Sequence, residues 1–167
     1  MRMFSTPWRR VACATALCMA AWPAWAQSAT ATFGVSATVL PSCSVVGGAT
    51  LAFGVVTPGV QQDGTVAISA TCTVGTNYTL SLDVGLGSGA TLSTRRMTSI
   101  GGDTLDYALY TSAARTTPWG DGTGGTGTVS STGTGLSQVF TVYGRVPSSA
   151  AASVGVYADT VTVTATY

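Results

Sequence analysis

The 167-residue sequence contains no histidine, no lysine and no glutamate. Its cations are seven arginines, its anions are six aspartates, and charged residues make up 8% of the chain, against about 25% in an average soluble protein. Each absence removes a chemistry. Without histidine there is no Ser-His-Asp or Cys-His nucleophile pair and no His-ligated metal. Without lysine there is no Schiff base and no phosphate-loop lysine. With so few cations there is no surface to track phosphates, so nucleic acid is not an expected partner. What the chain does have is 21 glycines, 46% apolar residues and many Ser and Thr. That is too apolar and too weakly charged for a disordered chain. It points to an all-β protein.

Arg2, Arg9 and Arg10 precede a short apolar run, Val11 to Ala21, and Ala24-Trp25-Ala26 forms a small-x-small cleavage site. Residues 1–26 are read as an ordinary secretory signal, removed before Gln27. The run is too short for a permanent membrane helix, and no second long apolar run follows, so stable membrane insertion is not expected. Cleavage removes Cys13, Cys18 and three arginines. Four arginines (95, 96, 115 and 145) then face six aspartates, a formal charge of −2 in place of +1. In an oxidising compartment the two remaining cysteines, Cys43 and Cys72, are expected to form one disulfide. Closing that loop is worth roughly 3 kcal/mol. Two cysteines without histidine cannot complete a zinc site. The remaining 141 residues suit one domain with a real core.

A period of two dominates the mature chain. Ala31, Phe33, Val35, Ala37 and Val39 fall on one face, with Thr32, Gly34, Ser36 and Thr38 on the other. This predicts a half-buried strand that stops at Pro41. Leu51 and Phe53 predict a short strand. Val66, Ile68, Ala70 and Cys72 alternate, pointing Cys72 inward. Tyr78, Leu80, Leu82, Val84 and Leu86 form another alternating run, as do Leu105, Tyr107 and Leu109. Gln138 to Arg145 and Thr160 to Tyr167 complete the series, the last carrying Val161, Val163, Ala165 and Tyr167 on one face. Gly-rich turns separate the runs, including the long stretch from Gly120 to Gly135. Short strands with such turns favour a β-sandwich over a barrel.

The local motifs read as structure. Gly120 to Gly125 matches G-x-G-x-x-G but lacks a following helix, so it is read as a surface loop and not a nucleotide site. One carboxylate there, Asp121, is far short of a calcium cage. Asp103 and Asp106 are read as solvated edge charges in preference to a glycosidase pair. Tyr107, Tyr110, Trp119 and Tyr143 are read as core in preference to a sugar platform. Asn77-Tyr78-Thr79 matches a glycosylation sequon but opens a strong strand and is discounted. No catalytic, metal or cofactor-binding residue is expected.

The first mature strand stands apart. It carries no charge and no proline between Ala31 and Val39, whereas exposed edge strands are usually defended by one or the other. It can pair within its own sheet, or it can add to another chain's sheet.

The blocks ATATFGVSATVLPSCSV, VAISATCTVGTNYTLSL, TRRMTS, LDYALYTSAARTTPWGDGTGGT, FTVYGRVP and GVYADTVTVTATY span the mature chain. Together they resemble the spore coat protein U domain family, which includes the archaic (Csu-type) chaperone–usher pilins. The resemblance implies an immunoglobulin-like sandwich that lacks its last strand. It implies completion by donor-strand exchange, with neighbouring pilin subunits, a periplasmic chaperone and an outer-membrane usher as partners. Residues 27–40 would then be the donor segment, with Ala31, Phe33, Val35, Ala37 and Val39 as its apolar face. Residues 41–167 would be the pilin domain, bridged by Cys43 and Cys72. Val161, Val163, Ala165 and Tyr167 would line the groove and meet the chaperone. The implied location is the cell surface, reached through the periplasm, and the implied role is a structural pilus subunit in adhesion or biofilm formation. A spore or cell-surface coat protein of the same family is the alternative. A carbohydrate-binding adhesin is a third reading, for which 141 residues leave no room for an added receptor domain.

Overall fold

The computed structural model describes residues 25–148, 150 and 152–167. The proposed signal therefore lies outside the described residues apart from Trp25 and Ala26. Among the described residues there is no helix, and all regular structure is antiparallel β. The strands are β1 (Cys43–Val46), β2 (Gln62–Cys72), β3 (Asn77–Leu82), β4 (Arg95–Ser99), β5 (Thr104–Tyr110), β6 (Val129–Thr132), β7 (Gln138–Val146), β8 (Tyr157–Ala158) and β9 (Val163–Thr166). They form a six-stranded sheet, β1-β2-β7-β5-β4-β8, and a three-stranded sheet, β6-β3-β9. The arrangement is an immunoglobulin-like sandwich.

The alternation explains the layering. Ile68, Ala70 and Cys72 of β2, Leu105, Tyr107 and Leu109 of β5, and Val142 and Val146 of β7 turn inward. They meet Tyr78, Leu80 and Leu82 of β3. Two side chains tie the layers together. Trp119 is fully buried, and its indole Nε1 donates to the carbonyl of Leu80 at 3.0 Å while its amide donates to Leu109 at 2.7 Å. Arg95 is also fully buried and donates to the carbonyls of Asp83, Leu92 and Trp119 at 2.8, 3.0 and 2.8 Å. Cys43 and Cys72 sit opposite each other in the β1–β2 ladder and are bonded. The disulfide expected from composition is present.

Several sequence expectations change. Residues 31–39 belong to no strand, and Phe33, Val35 and Val39 are 87%, 85% and 79% exposed. Alternation encodes a capacity to pair, but a strand exists only with a partner. Leu51 and Phe53 form no strand either. Their side chains press onto Gly64 and Gly144, a cross-strand glycine pair of β2 and β7, so the segment lies across the sheet instead of within it. The run beginning at Tyr78 ends at Leu82, because the Asp83 carboxylate takes the amide of Gly85 and turns the chain (φ +80° at Gly85). Val84 and Leu86 are exposed. The terminal strand covers only Val163–Thr166, since Asp83 also captures the Thr162 amide in place of a ladder bond. The stretch read as one long loop contains β6. Of the four aromatics read as core, Tyr107 and Trp119 are buried, whereas Tyr110 and Tyr143 are half-buried cross-strand neighbours on the outer face.

Candidate functional site

Three strands cannot cover six. The uncovered part of the large sheet's inner face forms an apolar trough of about 420 Å³. Its floor is built by Val66, Ile68, Leu109 and Val142, and its far wall by Leu82, Val161 and Val163. A second hollow of about 640 Å³ continues from it past Leu51, Phe53, Met97 and Tyr157. The wall strand β9 pairs only with β3, by the register Thr79↔Thr166 to Leu82↔Val163, so among the described residues its other edge has no partner. An open edge beside an apolar floor offers two things at once. Backbone groups can be paired by a new strand, and alternate side chains of that strand can be buried.

One end of the trough is held by a polar latch. The Tyr107 hydroxyl donates to Asp159 Oδ2 at 2.6 Å, and Asp159 Oδ1 accepts from the amides of Leu86 and Thr160 at 2.7 and 2.8 Å. Burial, then the hydrogen bond and charge of Asp159, raise the pKa of the Tyr107 phenol, so it stays a donor. Asp83 Oδ1 accepts from Thr162 and Gly85. Burial disfavours the ionised form of Asp83, but those hydrogen bonds and Arg95 prevail and hold its pKa below the ordinary 3.8. A carboxylate with a lowered folded-state pKa stabilises the fold above its ordinary value, and that stability is lost as pH falls through the folded value. Hydrogen-exchange protection at the Thr162 amide is therefore expected to fall as the pH drops below the ordinary carboxylate value of 3.8 while that of Ile68 in β2 holds. Equal loss at both would remove Asp83 as the cause.

Most of the residues singled out from the sequence for the terminal strand meet here. Val161 and Val163 line the trough, and half-buried Ala165 packs against the core. Tyr167 does not line it: it is 59% exposed and sits beside Asn77 and Thr132. Sequence reasoning missed Met97, Tyr157, and the Leu51–Phe53 segment as lining. It also missed Asp159 as the latch. Gly64 and Gly144, isolated inside otherwise regular strands, were the available signal, since a glycine there marks a close approach of another group. Asp106 is ion-paired with Arg96 at 3.0 Å, as a surface charge would be.

Three comparisons bear on this geometry. The Spore Coat Protein U domain family matches residues 29–164. The chain is 38% identical over 160 residues to Protein U of Myxococcus xanthus, covering 87% of this chain and 88% of the relative. Its fold is similar to that of a chain in the chaperone–tip adhesion subunit pre-assembly complex of the archaic chaperone–usher Csu pili of Acinetobacter baumannii. That similarity has a TM-score of 0.56 and 24% identity over 78% of this chain, and this chain spans only 41% of that one.

Proposed function

The chain belongs to the Spore Coat Protein U domain family, and from that premise we propose that it is a structural subunit of a surface pilus, assembled through the chaperone–usher route by donor-strand exchange. One observation carries the reading. The body presents an apolar trough along an unpaired strand edge. The same chain carries an uncharged, alternating N-terminal segment whose apolar side chains are exposed and in no strand. Residues 27–40 are the donor and residues 41–167 the acceptor body. A head-to-tail contact of this kind does not close on itself and so makes a filament. Four apolar side chains, Phe33, Val35, Ala37 and Val39, enter the trough of the next copy. The larger ones are worth roughly 1.5–3 kcal/mol each, in addition to a backbone ladder. Before assembly, a periplasmic chaperone covers the trough and the β9 edge. An outer-membrane usher then exchanges it for the next subunit, leading to the cell surface and a role in adhesion or biofilm formation.

Removing residues 27–39 is expected to leave a folded, disulfide-bonded body that no longer joins fibres in electron micrographs. Long fibres from the truncated chain would refute the donor assignment. The family description favours one other reading, a coat layer built by the same joint. Immunogold labelling separates them: discrete fibres support a pilus, and a continuous shell supports a coat.

A further inference from the structure

We propose that the outer face of the small sheet selects the register and identity of the strand added at its edge, through a ladder of hydroxyl pairs; this rests on the donor-strand reading above. Across that face Ser130, Thr79 and Thr166 stand opposite one another in one row, and Ser81 stands opposite Thr164 in the next. Some of these rows are already closed. Thr79 Oγ1 and Ser130 Oγ lie 3.0 Å apart, and Thr132 Oγ1 donates to Asn77 Oδ1 at 2.8 Å. The rows run out at β9, where Thr164 and Thr166 are exposed on the strand with the free edge. The outer face of the large sheet is mixed: it has facing hydroxyl residues, Ser44 with Thr71 and Thr98 with Thr104, but also ion pairs, Arg96–Asp106 and Asp63 shared by Arg115 and Arg145, whereas the rows of the small sheet carry no charge.

The N-terminal segment carries the matching polar set. When Phe33, Val35, Ala37 and Val39 point to one side of a strand, Thr32, Gly34, Ser36 and Thr38 point to the other. A strand laid beside β9 with its apolar face in the trough places those hydroxyls against Thr164 and Thr166. The apolar face alone is a permissive key, because a slip of two residues exchanges one apolar group for another. The polar face is stricter. Gly34 breaks the hydroxyl row, so the same slip moves a position without a hydroxyl against a threonine. The preferred partner is thus a second copy of this chain, or a segment with the same Thr-x-Gly-x-Ser-x-Thr spacing.

The test uses fibres of the mature chain and measures their dissociation rate on heating. One variant carries Ser36→Ala and Thr38→Val, the one pair of that polar set two residues apart that can face Thr164 and Thr166 together, another Thr164→Val and Thr166→Val, and a third all four. Valine keeps the shape of threonine and favours a strand, so only hydroxyls are lost. Melting of each subunit before assembly verifies an intact body. Each pair is expected to speed dissociation about tenfold, and the fourfold variant also about tenfold, because the two pairs remove the same bonds. Unchanged rates, or a multiplied effect of about a hundredfold, would overturn the ladder. A Val35→Asp control distinguishes the levels. If its fibres match the unaltered chain, the donor reading and the ladder both fall. If it blocks fibres while the hydroxyl variants behave as unaltered, the ladder alone falls.

Discussion

Mature chain carrying Val35→Asp is expected to fold normally and to fail as a building block. Val35 is 85% exposed, so a carboxylate there costs the isolated body little, within about 0.5 kcal/mol. In a fibre the same carbon would enter a trough floored by Ile68, Leu109 and Val142. Among the described residues no cation lines that trough, and the one charged lining residue is Asp159, an anion. Burying an unpaired charge there costs at least about 4 kcal/mol, roughly a thousandfold in joint stability. Heat-resistant multimers should vanish from gels while the melting temperature of the separated subunit is unchanged. Val35→Leu should keep both. A Val35→Asp protein that still yields multimers of normal stability would show that this face does not enter a neighbour.

Arg95→Met should have the largest effect on the body itself. Arg95 is fully buried, with no carboxylate in its hydrogen-bonding shell: its partners are the carbonyls of Asp83, Leu92 and Trp119, with Leu82 at 3.5 Å. Burial disfavours the guanidinium charge, and Tyr107, Asp83 and Asp159 offset this in part. Methionine would fill much of the space but strand carbonyls that no water reaches. That predicts a loss of about 4 kcal/mol, on the order of 15 °C in melting temperature. Arg95→Lys should recover little, since an ammonium cannot span carbonyls from both layers as the planar fork does. A melting temperature lowered by only a few degrees in Arg95→Met would mean that the carbonyls find other partners. Because Asp83 and Leu82 lie where β3 gives way to the Thr162 contact, the damage should extend to the trough wall.

The two arginines that open β4 show why that strand was hard to read. A charged pair reads as solvent-facing, yet Arg95 points into the core and Arg96 outward to Asp106. The period of two is present, but its inward residue is the wrong chemical type for a pattern built on apolarity. β6 was hidden differently. Val129–Thr132 is embedded in Gly, Ser and Thr, and becomes a strand only because β3 offers it a partner. β2, β5 and β7 were legible because most of their inward residues are apolar and most of their outward ones polar, Ala67, Ala108 and Val139 being the outward aliphatic exceptions. Leu51 and Phe53 kept the period but not the pairing, since the glycine pair beneath them admits a segment lying across the sheet.

The order of residues alone determined that the chain makes strands, which side of each is apolar, and that histidine- and lysine-dependent chemistry is excluded. These follow from composition and from a two-residue period, both local properties. Only the tertiary structure decided that six strands face three, that β9 is left with a bare edge, and that Asp83 and Asp159 hold the end of the trough beneath it. Edges and closure depend on which distant segments pair, and a local alternation is equally satisfied by a partner in the same chain or in the next.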